Sequence, residues 1–172
     1  MPSARGSTAA KARASRSFCS SWCRLATPTD GDADADVDAV DTLLLCSGRV
    51  TWDLKVERTK REDGGRVAIA RLEQLYPRPV DQIRAEIEKF PNLKAIRWVQ
   101  DEPLNMGPWP HYMLNVWPEL GEQVGIKIAP ITRDSSASPS VGVAKRHQEE
   151  QKDLMARAFE AVDPRAEAAE QY

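Results

Sequence analysis

The chain has 172 residues, enough for one domain of ordinary size and a tail. A formal net charge of −2, with 41% hydrophobic and 29% charged residues, supplies no global basic field that would call for nucleic acid. No apolar run reaches the about 18 residues a membrane-spanning helix needs.

Residues 1–29 contain Arg5, Lys11, Arg13, Arg16 and Arg24, recurrent serines and no acid. That is the composition of an organelle transit peptide, and if residues 1–29 are one the expected location is the mitochondrial matrix. The plainer alternative is a disordered tail, or out-of-frame sequence from a misplaced gene start, on a cytoplasmic protein. Asp30-Gly31-Asp32-Ala33-Asp34-Ala35-Asp36-Val37-Asp38 alternates acid with small residues and reads as a linker. Residues 1–41 are therefore expected to be a disordered tail and linker, 42–165 a domain, and 166–172 a frayed helical tail. Cys19, Cys23 and Cys46 are odd in number, and their spacing completes no metal site. They read as free thiols in a reducing compartment.

Folding signals begin near Thr42. Leu43-Leu44-Leu45-Cys46 is a continuous apolar run stopped by Ser47-Gly48, which suits a strand buried on both faces. A helix is predicted from about Arg49 to Glu62, ended by Gly64-Gly65. Val67–Leu72 is a second strand. After Pro77 and Pro79, Val80, Ile83, Ile87 and Phe90 fall on one stripe of a 3.6-residue period, and Pro91-Asn92 ends that helix. Ala95–Val99 is a third strand. Residues 103–125 read as irregular, with one short helix around 110–117. Ile126–Ile131 is a fourth strand. A last helix is expected over Val143–Val162, with Leu154, Met155, Ala158, Phe159 and Val162 facing inward.

Strands alternating with helices predict an α/β fold with a mostly parallel sheet covered on both faces. Ligands and partners then meet the carboxyl ends of the strands. Those ends read Ser47-Gly48-Arg49, Glu73-Gln74, Gln100-Asp101-Glu102 and Thr132-Arg133-Asp134-Ser135, all polar. The turns at the opposite edge, Gly64-Gly65 and Pro91-Asn92, are plain.

Four segments carry a more specific signal. Leu45–Leu54, reading LCSGRVTWDL, resembles C-[ST]-G-K-V-Y-Y-D-L; Val67–Pro77, VAIARLEQLYP, resembles VAIxRIEQLxP. Gln100–Gly107, QDEPLNMG, is similar to QEEPxNQG, and Ser136-Ala137-Ser138-Pro139-Ser140-Val141-Gly142 with His147 matches A-S-A-P-x-x-G and a following histidine. In this order and spacing, over about residues 43–160, they resemble the C-terminal domain of the E1 component of 2-oxoglutarate dehydrogenase. The chain departs from the pattern at Arg49 for lysine, Thr51-Trp52 for two tyrosines, Asp101 for glutamate and Met106 for glutamine.

The resemblance implies a transketolase C-terminal-domain-like fold. The full family enzyme is implied to be a homodimer that uses thiamine diphosphate and magnesium. It decarboxylates 2-oxoglutarate and passes the succinyl group to the lipoyl arm of E2, within the tricarboxylic acid cycle. The partners implied are the remaining E1 domains, a second E1 subunit and the E2 complex. Its diphosphate site needs a G-D-G motif with a downstream asparagine. This sequence has Asp30-Gly31-Asp32, in the wrong order, and asparagines only at 92, 105 and 115. No cofactor, metal or catalytic residue is therefore expected in this chain, which is read as a supporting domain inactive alone. The alternatives are a stand-alone module that binds and regulates E1 or E2, and a small anion- or nucleotide-binding domain.

The candidate contacts are Arg49, Glu73, Gln74, Gln100, Asp101, Glu102, Asn105, Arg133, Ser136, Ser138 and His147. Asp101 and Glu102 are adjacent in an extended segment and point to opposite faces, so an inter-domain contact is favoured over an acid–base dyad. Arg133 with Ser135, Ser136 and Ser138 has the composition of an anion loop, against the plainer reading of a loop packed on another domain. His147 and His111 have no nucleophile placed for them and read as packing or capping residues. Trp98, Trp109, Tyr112 and Trp117 read either as local core or as a surface covered by the rest of E1.

Overall fold

A computed structural model describes residues 25–26 and 36–162 of the chain. The elements are β1 (Leu25–Ala26), β2 (Thr42–Cys46), α1 (Val50–Lys60), β3 (Val67–Leu72), α2 (Val80–Ile87), β4 (Ala95–Pro103), α3 (Trp109–Asn115), α4 (Trp117–Val124), β5 (Ile128–Arg133) and α5 (Ala144–Ala158). The strands form one sheet in the order β1-β3-β2-β4-β5. From β3 to β5 every pairing is parallel, and the two-residue β1 adds antiparallel to the outer edge of β3. The α/β fold is the one that alternating strands and helices dictate. The expectations for residues 1–24, 27–35 and 163–172 fall outside the described residues. Of the expected tail and linker, Leu25–Ala26 joins the sheet. Val40 is buried, and the Asp41 carbonyl accepts from the Lys94 and Ala95 amides.

The central strands divide their side chains between two cores. Leu43 and Leu45 face one layer with Trp98 and Ile96, closed by α2, α3 and α4. Leu44 and Cys46 face the other with Ile69 and Val99, closed by α1 and α5. A strand buried on both faces has no polar side to show, which is why its sequence is a continuous apolar run rather than an alternation.

Between β4 and β5 the sequence expectation needs correction. Two successive helices replace the single short one, broken at Val116 (φ −133°, ψ −55°). Pro110 and Pro118 stand in the first turn of α3 and α4, where a missing N–H costs nothing, so both prolines are compatible with helix starts. This returns the chain over β4 and buries Trp98, Trp109, Tyr112 and Trp117 in one cluster. The Trp98 and Tyr112 rings stack with centroids 5.5 Å apart, and Tyr112 and Trp117 lie 4.8 Å apart. The aromatic run is core, not a surface awaiting a partner. β5 starts two residues later than expected, after Gly125 closes α4 at φ +71°, and so takes in Arg133. The last helix is shorter than expected and leaves Val162 beyond it.

Cys46 is fully buried, and its sulfur lies 3.3 Å from the Thr51 hydroxyl. Burial pushes the thiol up to about 11 from an ordinary value of about 9, since an apolar surround penalises the thiolate. Below pH 9 both folded and unfolded chains hold this proton. Between pH 9 and about 11 the unfolded chain releases it first, so stability falls as pH rises. Urea unfolding across that window is expected to show a loss of about 2 kcal/mol that the Cys46→Ala variant lacks. Parallel pH profiles for the two proteins would contradict the burial argument.

Candidate functional site

The polar residues at the carboxyl edge are held by one another. Gly48 (φ +70°) turns β2 into α1, where Arg49 lies 3.5 Å from Asp53 one turn on. At the end of β3, Arg71 pairs with Glu73, and the Gln74 amide donates to the Pro77 carbonyl at 3.4 Å.

Gln100 is buried and organises the next loop. Its Oε1 accepts from Trp98 Nε1 at 2.9 Å and from the Trp109 amide at 3.0 Å. Its Nε2 donates to the Met106 carbonyl at 2.8 Å and the Pro103 carbonyl at 3.2 Å. The chain passes close enough that Gly107, at φ +67°, would place a Cβ 3.1 Å from Gln100 Nε2 and from Glu102 Oε2. Glycine meets both demands there. Gln100 is thus an internal strut, not the partner contact its position suggested. Asp101 keeps a buried carboxylate oxygen, Oδ1, without a hydrogen bond among the described residues.

Asn105 ties this loop to the one after β5. Its Nδ2 donates to the Ser136 carbonyl and its Oδ1 accepts from the Ser136 amide, both at 3.0 Å. Ser138 is turned on its own loop: its amide donates to Ser136 Oγ and its hydroxyl to the Ser140 carbonyl.

Arg133 is only 6% exposed. One guanidinium nitrogen donates to His147 Nδ1 at 2.9 Å and to Glu150 at 3.3 Å; the other donates to Gln151 Oε1 at 2.9 Å. Arginine offers no acceptor, so Nδ1 accepts and the neutral imidazole carries its proton on Nε2. Gln151 passes the chain of contacts to Asp53 at 3.3 Å, and so to Arg49. His147 therefore positions the start of α5. His111 meets Tyr112 edge-on, and its carbonyl accepts from Asn115.

The anion-loop expectation for Arg133, Ser136 and Ser138 does not survive this geometry. A cleft of about 140 Å³ lies beside the loop, with Arg133, Arg146 and Arg157 in its wall. Arg146 sits 2.9 Å from Glu150 and Arg157 2.8 Å from Asp153, so each guanidinium has an internal carboxylate. A charge-balanced cleft of this size is also well below the roughly 300 Å³ at which ligand pockets begin. Nor do the residues fit thiamine diphosphate with its metal. Among the described residues no three His, Cys, Asp or Glu side chains converge, and Asp30-Gly31-Asp32 lies outside them.

Sequence reasoning missed Arg97, Gln151 and Asp53. Arg97 was visible: a charge inside the apolar run Ala95–Val99 is rare unless paired.

Comparison with known proteins decides the family. A sequence model described as 2-oxoglutarate dehydrogenase C-terminal matches residues 23–159. The chain belongs to this family. Within it, the chain is 40% identical over 129 residues to the 2-oxoglutarate dehydrogenase E1 component of Cupriavidus necator, covering 73% of the chain and 13% of that protein. It is 38% identical over 132 residues to the multifunctional 2-oxoglutarate metabolism enzyme of Mycobacterium sp. strain KMS (77% and 10%), and 34% identical over 136 residues to the 2-oxoadipate dehydrogenase complex component E1 of Mus musculus (77% and 14%). The chain thus spans 10–14% of the length of these relatives. At positions 51 and 106, where it departs from the motif, the chain makes contacts of its own. Thr51 is buried and donates to the Gly48 carbonyl at 2.9 Å, and position 106 serves Gln100 through its main chain.

Asn105→Ala is expected to cost about 1 kcal/mol and to speed exchange of the Ser136 amide hydrogen markedly. Unchanged exchange at Ser136 would show that the two loops hold without it.

Proposed function

We propose that this chain serves as the C-terminal supporting domain of a thiamine diphosphate-dependent E1 that decarboxylates a 2-oxo dicarboxylic acid. In this reading it props the domains that hold the cofactor, supports the E1 dimer, and makes no bond itself. The observation that carries the reading is the family match over residues 23–159. The polar carboxyl edge, tied up in internal contacts, agrees with it. The E1 relatives act on 2-oxoglutarate and 2-oxoadipate by name, so the substrate class is a 2-oxo acid with a distal carboxylate. The partners are the remaining E1 domains and, through them, the lipoyl-bearing E2 of the complex. When bound by those domains, thiamine diphosphate with magnesium supplies the decarboxylation chemistry; residues of this chain contribute shape.

The purified chain with thiamine diphosphate, magnesium and 2-oxoglutarate is expected to give no turnover with an artificial electron acceptor. Added to a family E1 from which the corresponding C-terminal segment has been deleted, it is expected to restore measurable activity. Turnover by the chain alone, or no restoration at any ratio, would overturn the reading.

A further inference from the structure

Helix α5 is fastened in two different ways along its length. Its second half is docked on the core: Leu154, Met155 and Ala158 are buried, Phe159 follows, and Arg157 donates to the Thr132 carbonyl at 2.7 Å. Its first two turns, Ala144–Gln151, read AKRHQEEQ and contain no buried residue. Val143, at the N-cap, makes no side-chain cap bond and is 64% exposed, so neither a cap nor an apolar staple anchors the helix start. The cleft of about 140 Å³ beside the preceding loop is walled on the helix side by Arg146 and Glu150 of these same turns.

The side-chain bonds that tie these turns to the sheet converge on one group. The buried Arg133 guanidinium donates to His147, Glu150 and Gln151, and Gln151 adds a longer bond, 3.3 Å, to Asp53 of α1. Segments with few buried apolar contacts open at a lower free energy than the core around them. A segment of two turns is also too short to stay helical in water once it leaves its dock. We propose that Ala144–Gln151 is a latch that opens as one unit, hinged at the exposed Lys152-Asp153, while Leu154–Phe159 stays seated. Opening uncovers Arg133 at the carboxyl edge of the sheet. Because one guanidinium holds three residues of the latch, they are released together rather than frayed one by one.

Amide hydrogen exchange in the whole chain tests this. The amides of Gln148–Gln151 are expected to exchange at least about tenfold faster than those of Met155–Ala158, and to share one opening constant and one denaturant dependence. Arg133→Met removes the guanidinium and leaves its partners to water, since His147, Glu150 and Gln151 are each partly exposed. It is expected to speed exchange at Gln148–Gln151 by a further factor of roughly ten, as several bonds are lost. Gln151→Ala, which leaves β5 untouched, is expected to speed the same amides roughly threefold. Met155–Ala158 and β4 are expected to keep the parent rates. A rate that falls off residue by residue from the helix start, equal protection at Gln148–Gln151 and Met155–Ala158, unchanged rates in both variants, or acceleration in Q151A that spreads into Met155–Ala158 would each overturn the proposal.

Discussion

Arg97 sits in the middle of β4, 5% exposed, with its guanidinium under the last turn of α5. It donates to the carbonyls of Glu160 at 2.8 Å, Ala158 at 3.1 Å and Arg157 at 3.4 Å. Arg66, in the turn just before β3, reaches the Phe159 carbonyl at 2.6 Å. These are carbonyls that a helix C-terminus leaves without intrahelical partners, and a cation placed there also meets the negative end of the helix dipole. A buried guanidinium costs several kcal/mol unless its donors are met, so helix end and arginine satisfy each other.

The clasp matters because α5 is otherwise a polar helix. Leu154, Met155 and Ala158 are its buried residues, and Phe159 follows at its end. Together they roof Leu44, Ile69, Val99 and Ile131. Arg133 holds the opposite end of the same helix through His147, Glu150 and Gln151, and Arg157 returns a bond to the Thr132 carbonyl at 2.7 Å. The carboxyl edge of a parallel sheet is ordinarily where ligands are met. Here much of its hydrogen-bonding capacity is spent on fastening α5 and on joining two loops through Asn105. This internal use of charged residues agrees with the supporting role proposed above.

The reach of the sequence reading had physical limits. Leu43–Cys46 suits a doubly buried strand because the run has no polar face and Ser47-Gly48 stops it well short of a helix's length. The stripe Val80, Ile83, Ile87 declared α2 through its period. The stretch 103–125 was opaque because Pro110 and Pro118 look alike whether they break or start a helix, and only the packing of Trp109, Tyr112 and Trp117 on Trp98 decides. The candidate site was legible as a place and not as a role. Gln100 and Arg133 lie near the carboxyl ends of β4 and β5, Asn105 in the loop after β4 and His147 in the first turn of α5, but polarity does not disclose whether a side chain looks outward or is consumed within. Their partners lie 31 residues away for Asn105 and 14 to 18 for Arg133, beyond any local pattern.

The most direct test of the clasp is Arg97→Leu, which keeps the bulk of the side chain and deletes its donors. Unfolding in urea with amide exchange across α5 would be measured against the parent chain. The expected result is a loss of about 3 kcal/mol, with exchange accelerated along α5 while β2 and β3 stay protected. A variant within about 0.5 kcal/mol of the parent, with α5 as protected as before, would contradict it.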